Sequence, residues 1–295
     1  MPASLSAPAT ALSPGTRLTQ LVVTRPAQEA QTWVQALQAQ GWPAQPLPLI
    51  AITPPADPAQ LAELQRFRAQ CVDWDVLMFV SAAAVQHFFD ESVPAPAAGA
   101  HWPRCWAPGP GTARALVQAL AARGLSPAWV DAPAPDVPQF DSEALWAVVA
   151  PQLHPGLRLG WVRGGSAGRV APIVSPSGLA GQGRDWLIQQ CQAAGAVVQA
   201  CVAYVRSAPV LSHPQQMLLQ TASQAGSLWL FSSTEAVLHL RQLADPAADW
   251  AAACALTTHP RIAAAARAAG FGSVLETRPA LADVLRVLEQ NWSRP

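Results

Sequence analysis

Two stretches of the chain carry nearly the same order of apolar and polar positions. From Leu228 to Leu240 an apolar run through Phe231 meets Ser232 and Ser233, and a helical pattern with Ala236, Val237 and His239 follows. From Val76 to Phe88 an apolar run through Phe79 meets Ser81, and Ala84, Val85 and His87 follow. A short continuous apolar run that ends in a hydroxyl residue and changes to a 3.6-residue period predicts a buried strand turning into a helix. A serine at that turn offers a hydroxyl beside unbonded backbone N–H groups, which suits an anionic group and equally suits plain helix capping. Either serine alone reads as a cap. Two equivalent copies favour a binding role as well.

The remaining elements fall into two halves around this pair. Leu21 to Arg25 leads into Ala30, Trp33, Val34 and Leu37, spaced as one buried helical face, and Gly41 ends that helix. Leu159 to Gly164 leads, after an insert, into a helix ending at Gly195. Cys105 to Arg114 runs on to Gly124, and Cys254 to Ile262 runs on to Gly270. These landmarks recur at about 150 residues, a domain-sized duplication far too long for a solenoid.

Between the landmarks, Pro46 to Pro55 is extended and proline-framed and predicts a connector rather than a central strand. Leu61, Leu64 and Phe67 mark a second helix, and a Pro/Ala loop is expected near Val93 to Ala100. Gly109-Pro-Gly111 opens a helix through Leu116, Leu120 and Arg123; a short strand is expected near Ala128 to Val130, and Asp141-Ser-Glu starts another helix. Residues 166–183 read as an inserted loop before a helix starting at Asp185. Strands alternating with crossover helices predict an α/β fold of two similar parallel-sheet domains.

Composition narrows the chemistry. The 18 basic and 18 acidic residues cancel, and only 12% of residues are charged, so no global field draws the chain to nucleic acid or to an anionic membrane. Every basic residue is arginine; without lysine there is no Schiff-base nucleophile and no Walker-type phosphate lysine. The five cysteines are odd in number, scattered and never C-x-x-C, which points to a reducing compartment. The first residues, up to Gly15, lack the basic and apolar regions of a signal peptide and read as a disordered leader over 1–16. No apolar run is long enough to span a membrane. Gly109-Pro-Gly111 and Gly164-Gly165, both placed in strand-to-helix turns, do not complete a dinucleotide fingerprint, because Arg114 stands where the last glycine is needed. The six histidines show no metal-ligand spacing, and no G-x-S-x-G elbow occurs.

Tyr204 is the only tyrosine. At the end of an apolar strand it reads either as an amphipathic residue at a sheet edge or, opposite the connector at Leu47 to Ile52, as a residue at a hinge facing a cleft.

Taken together, Val23-Thr-Arg-Pro26, Phe79 to Val85, Gly109 to Ala113, Asp141 to Leu145, Ala203-Tyr-Val-Arg206, Phe231 to Val237 and Pro260-Arg-Ile-Ala263 resemble the uroporphyrinogen-III synthase family over about residues 18–290. The resemblance implies two α/β domains, residues 17–49 plus 205–292 and residues 53–201, joined by a two-stranded extended connector with a cleft between them. It implies a cytoplasmic, cofactor-independent lyase of porphyrin and heme biosynthesis, a monomer in transient contact with neighbouring pathway enzymes. Its substrate would be the linear polycarboxylate hydroxymethylbilane, cyclised to uroporphyrinogen III with inversion of ring D and loss of water. Tyr204 is then the catalytic candidate, and Ser81, Thr112 and Ser233 would bind carboxylates, helped by Arg25, Arg163 and Arg184 or Arg261. Two departures stand out: the insert separates Arg163-Gly164 from Gly183-Arg184, and Ile262 stands near a place where some members carry threonine. The competing reading is a hinged tetrapyrrole-binding sensor that keeps the fold without the chemistry.

Overall fold

The computed structural model of the protein describes residues 16–93, 101–134, 137, 141–166 and 182–295. Residues 1–15 of the expected leader, the loop near 94–100 and the body of the expected insert lie outside the described residues, whereas Thr16, expected to end the leader, already belongs to the first strand. The chain begins with β1 (Thr16–Arg17), β2 (Gln20–Val23), α1 (Ala27–Ala39), β3 (Ala44–Pro46), β4 (Ala51–Thr53) and α2 (Pro58–Ala69). It continues through β5 (Val76–Phe79), α3 (Ala82–Phe88), β6 (Arg104–Trp106), α4 (Pro110–Ala121), β7 (Val130–Asp131), α5 (Ser142–Val149) and β8 (Arg158–Ser166). Then come α6 (Gln182–Ala193), β9 (Val197–Ser207), α7 (His213–Thr221), β10 (Ser227–Phe231), α8 (Thr234–Leu243) and β11 (Cys254–Thr257). Last are α9 (Pro260–Ala268), β12 (Ser273–Glu276), α10 (Leu281–Asn291) and β13 (Trp292–Ser293).

The contacts divide the chain into two compact units, residues 1–51 with 207–295 and residues 52–206. In the first, the order β12-β11-β10-β2-β3 is parallel throughout. In the second the order is β4-β9-β8-β5-β6-β7, with parallel pairing from β9 to β7. Set side by side, β3-β2-β10-β11-β12 and β9-β8-β5-β6-β7 are one arrangement built twice. Each opening strand-helix-strand of a repeat sits in the sheet of the other repeat. The duplicated glycines share one conformation too: Gly41, Gly124, Gly195 and Gly270 all have positive φ, from 71° to 98°, just past a helix end.

The uninterrupted apolar runs follow from burial on both sheet faces. On β10, Leu228 and Leu230 join Val34 and Leu37 of α1 and Val284 and Leu288 of α10. Trp229 and Phe231 point the other way and stack at 5.9 Å, with Trp250 and Phe271 against them. In the second unit, Phe67 stacks on Trp74 at 4.6 Å over Gly160, where a Cβ would come within 2.7 Å of Leu77. Both serine caps read from the sequence are made, Ser81 and Ser233 accepting from Ala84 and Glu235 N–H, and Asp141, expected to start a helix, caps it by accepting from Ala144 N–H.

Several local expectations change. Residues 127–129 make a 3₁₀ turn, so the strand is only Val130–Asp131, held by Arg104, whose Nε donates to Asp131 at 2.8 Å. The insert is shorter than expected, since Ser166 still belongs to β8 and α6 already starts at Gln182. The proline-framed segment begins at Pro46, the last residue of β3, and contains β4; both are edge strands, in different sheets. Edges are where proline is tolerated, because its missing N–H can face away from the ladder. Among the described residues no helix is long and apolar enough to cross a membrane.

All five cysteines are free and buried. Burial pushes the thiols of Cys71 and Cys191 up to about 12 and raises Cys105, Cys201 and Cys254 as well. Since the thiolate is the reactive form, the native protein should leave a thiol-alkylating reagent unconsumed at neutral pH and the denatured protein should take up one equivalent at each cysteine. Rapid labelling of any cysteine in the folded protein would contradict this packing.

Candidate functional site

In a parallel α/β sheet, right-handed crossovers that run in opposite directions put their helices on opposite faces and leave a crevice at the strands' carboxyl ends. In the second unit that reversal lies between β5, whose chain moves on through α3 to β6, and β8, whose chain moves through α6 to β9. Ser81 follows β5 there, and Arg163 and Gly164 lie on the last part of β8. Tyr204 lies one strand further out on β9, paired in register with Gly164 across a shift between Arg163 and Gly164.

These placements determine one contact. Tyr204 and Ser81 are two strand separations apart, about 10 Å, and the side chain on the strand between them would ordinarily stand in the way. Gly164 has none. A Cβ at Gly164 would come within 2.6 Å of Tyr204 Cε2 and 2.7 Å of its hydroxyl oxygen. The phenol therefore lies across the glycine, and its oxygen reaches Ser81 Oγ at 3.1 Å. Tyr204 is only 5% exposed. Gly164 and Gly165 are thus strand residues and not the strand-to-helix turn expected from sequence; glycine is required by the ring above it and not by a tight turn. Gly109, Pro110 and Gly111 do open α4 as expected, with Gly109 as its N-cap.

The other expected residues of this unit are less closely grouped. Thr112 is buried in the first turn of α4. Arg163 is partly buried; burial lowers its guanidinium, with Asp185 of α6 acting in the opposite direction. Arg184 belongs to α6, and its side chain lies outside the described residues.

The first unit has the equivalent crevice between β2 and β10, with Arg25 after one and Ser233 after the other. Arg25 already has partners from its own chain: Glu29 at 3.1 Å, the Pro279 carbonyl and the Trp33 ring at 4.0 Å. Burial lowers its guanidinium and Glu29 opposes that. Arg261 is exposed at the start of α9, where its backbone N–H donates to His259 Nδ1. No phenol stands in this unit, so the duplication is chemically one-sided.

Sequence reasoning missed two neighbours of Tyr204: Gly164, and His87 with its ring 5.9 Å from the phenol ring. The signal for His87 was its repeat partner. In the first unit His239 is buried and its Nδ1 lies 2.6 Å from the Leu49 carbonyl, in the part of the repeat equivalent to β9. Arg68 of α2 fixes the end of α3 by donating to the His87 and Phe88 carbonyls at 2.6 and 2.9 Å. Burial, and then the Arg68 charge, pulls His87 below its ordinary 6.5. A depressed folded value means that the proton favours the unfolded chain. The contribution is present above pH 6.5 and lost as the pH falls below it. Melting temperature should therefore drop on mild acidification, and His87→Gln should flatten part of that drop. Parallel pH profiles of the two proteins would refute the assignment.

A recess of about 760 Å³ in the first unit lies away from both crevices, lined by Leu211, Leu219, Ser223, Ala244 and Trp250 among others. Its lining comes largely from segments that precede β10 and β11, at the amino edge of the sheet, and none of the candidate residues takes part. The candidate hydroxyl, phenol and guanidinium groups lie instead at the carboxyl edges of the sheets. Among the described residues no cluster of His, Cys, Asp and Glu could hold a metal ion.

Two doubly wound parallel sheets of one strand order, each with hydroxyl and arginine side chains where the order reverses, define a duplicated α/β protein with polar carboxyl edges. The family model described as uroporphyrinogen-III synthase HemD matches residues 31–285, and the chain belongs to that family. It is similar to the uroporphyrinogen-III synthetase structure from Helicobacter pylori at 15% identity, over 91% of this chain and 97% of that one, with a TM-score of 0.49. A mutant uroporphyrinogen III synthase from Thermus thermophilus matches at 18% identity over 92% and 97%, with a TM-score of 0.46. No curated protein matches.

Proposed function

We propose that this family member is an active uroporphyrinogen-III synthase, closing hydroxymethylbilane to uroporphyrinogen III with inversion of ring D and loss of water. Family membership supports the substrate class. The observation that carries the reading is the chain's single phenol, Tyr204, held against Ser81 at the crevice of the second unit.

The substrate supplies much of the reactivity, since the linear bilane closes by itself to the uninverted isomer. What a protein adds is the holding of one conformer, a matter of orientation, and help for the departing hydroxyl. In the step assigned to Tyr204, the carbon–oxygen bond of the hydroxymethyl group breaks with its electron pair on oxygen. The phenol proton completes a water molecule, and the adjoining pyrrole nitrogen feeds electrons to the carbon, giving an azafulvene-type electrophile. Closure through a spiro intermediate inverts the last pyrrole, and the proton released on closure returns to the phenolate. No cofactor enters the scheme. Each crevice has its own candidates for carboxylates, Thr112, Arg163 and Arg184 in the second unit and Ser233, Arg25 and Arg261 in the first, acting by hydroxyl and charge-assisted hydrogen bonds.

The test follows consumption of hydroxymethylbilane by the purified protein against the spontaneous reaction in buffer. Acceleration is the expected result. Binding with consumption at the buffer rate would contradict it and describe a tetrapyrrole-binding module instead.

A further inference from the structure

We propose that Ser81 is a positioning residue that acts through Tyr204, its hydroxyl serving the phenol oxygen and not a substrate carboxylate. The inference rests on the proposed reaction and deepens it by naming what aims the proton donor. A serine hydroxyl has one proton to give and two lone pairs to accept with. One lone pair of Ser81 Oγ is committed to the Ala84 backbone N–H at 3.1 Å. Tyr204 Oη lies at 3.1 Å on another side, and either oxygen could be the donor of that bond.

The two directions have opposite consequences. With the phenol donating to Ser81, its proton is occupied and cannot reach a leaving hydroxyl. With Ser81 donating to the phenol oxygen, the phenol proton is free, and the same bond stabilises the negative charge that oxygen acquires when the proton leaves. The chain Ala84 N–H to Ser81 O–H to Tyr204 O–H then points all its protons one way. Hydrogen bonds aligned in this manner polarise one another. The carbon–oxygen bond of the substrate breaks at the far end, the proton passes from Tyr204 to the departing oxygen, and Ser81 keeps its own proton throughout.

Three features of the fold serve this arrangement. The missing side chain of Gly164 leaves room for the phenol to cross β8. The register shift at Arg163 and Gly164 sets the glycine opposite Tyr204. Ser81 is fixed as the N-cap of α3, whose far end Arg68 holds through the His87 and Phe88 carbonyls. The equivalent serine of the other unit, Ser233, also caps its helix, yet the chain's only tyrosine lies in the unit of Ser81.

A double-mutant cycle with Ser81→Ala and Tyr204→Phe tests the proposal, because a residue acting through another has no effect once that other is gone. Ser81→Ala should lower kcat by about three- to tenfold with little change in KM. Ser81→Thr, which keeps the hydroxyl, should recover most of it. Adding Ser81→Ala to Tyr204→Phe should cost nothing further. Equal fold losses in both backgrounds, or a raised KM at unchanged kcat, would make Ser81 a substrate ligand and overturn the proposal. A second measurement is independent of turnover. Tyrosine labelled with ¹³C at Cζ gives one resonance from Tyr204, which should move in Ser81→Ala and return in Ser81→Thr. A resonance unmoved by Ser81→Ala also overturns the proposal. Absence of turnover in the unaltered protein, by contrast, defeats the functional reading itself, and the resonance still decides whether Ser81 bonds the phenol.

Discussion

Tyr204→Phe is expected to fold like the unaltered protein and to close hydroxymethylbilane about ten- to a hundredfold more slowly. The substitution keeps the ring, and with it the packing over Gly164 that lets β9 lie in register with β8. It removes one hydroxyl and its bond to Ser81. The loss of stability should stay within about 1 kcal/mol, because Ser81 retains its bond to Ala84 N–H and the phenol bond is a single neutral one. The rate loss sits at the lower end of general acid catalysis, since the hydroxyl departs readily and water can take over part of the task. The residual product should remain mainly the inverted isomer, because conformer control rests with the binding groups. Turnover by Tyr204→Phe equal to the unaltered protein at saturating substrate would take the phenol out of the mechanism.

Gly164→Ala is expected to damage both fold and activity, although the substituted atom touches no substrate. The new Cβ would stand 2.6 Å from Tyr204 Cε2, far inside contact distance, and the ring lies on a strand with its other side packed. Overpacking of this kind costs about 1 to 3 kcal/mol. The ring has to tilt off β8, which breaks its bond to Ser81 and carries the phenol away from the crevice. Activity should fall at least as far as in Tyr204→Phe, and the two changes combined should be far from additive. Gly165→Ala is the milder comparison, since its Cβ would press on Val202 Cγ1 at 3.1 Å, a contact that a shift of a few tenths of an ångström relieves, and would not touch the Tyr204 ring. A Gly164→Ala protein with unaltered melting temperature and turnover would show that the ring does not depend on that gap.

What the sequence made legible, and what it did not, separates along physical lines. Local signals read well: a serine or aspartate before a helical period became the caps Ser81, Asp141 and Ser233, and each landmark glycine took the left-handed conformation that ends a helix. The repeat read well because both copies preserve the same burial demand, a strand covered on both faces followed by a capped helix. The parallel α/β class followed from that alternation.

The Tyr204 contact was not legible, because it depends on register. Tyr204, Gly164 and Ser81 come from three strands or strand ends, and one extra residue on β9, Ala203, between the partners of Arg163 and Gly164 decides which β9 residue stands opposite the glycine. A one-residue slip would send the ring to the opposite sheet face. Gly164-Gly165 looked like a turn because paired glycines are common in turns, and nothing local distinguishes a glycine needed for φ from one needed for space. The surroundings of the candidate arginines were only partly legible. Arg25 could be read as cationic and near a strand end, but its pairing with Glu29 one helical turn on and its place on Trp33 are matters of packing.

If this chain directs closure with inversion, the identity of its product will show it. Purified protein is given hydroxymethylbilane, the products are oxidised to porphyrins, and the isomers are separated against a sample closed in buffer alone. The type III isomer is expected as the main product, with the spontaneous type I isomer suppressed. Type I alone, at the proportion found in buffer, would contradict it.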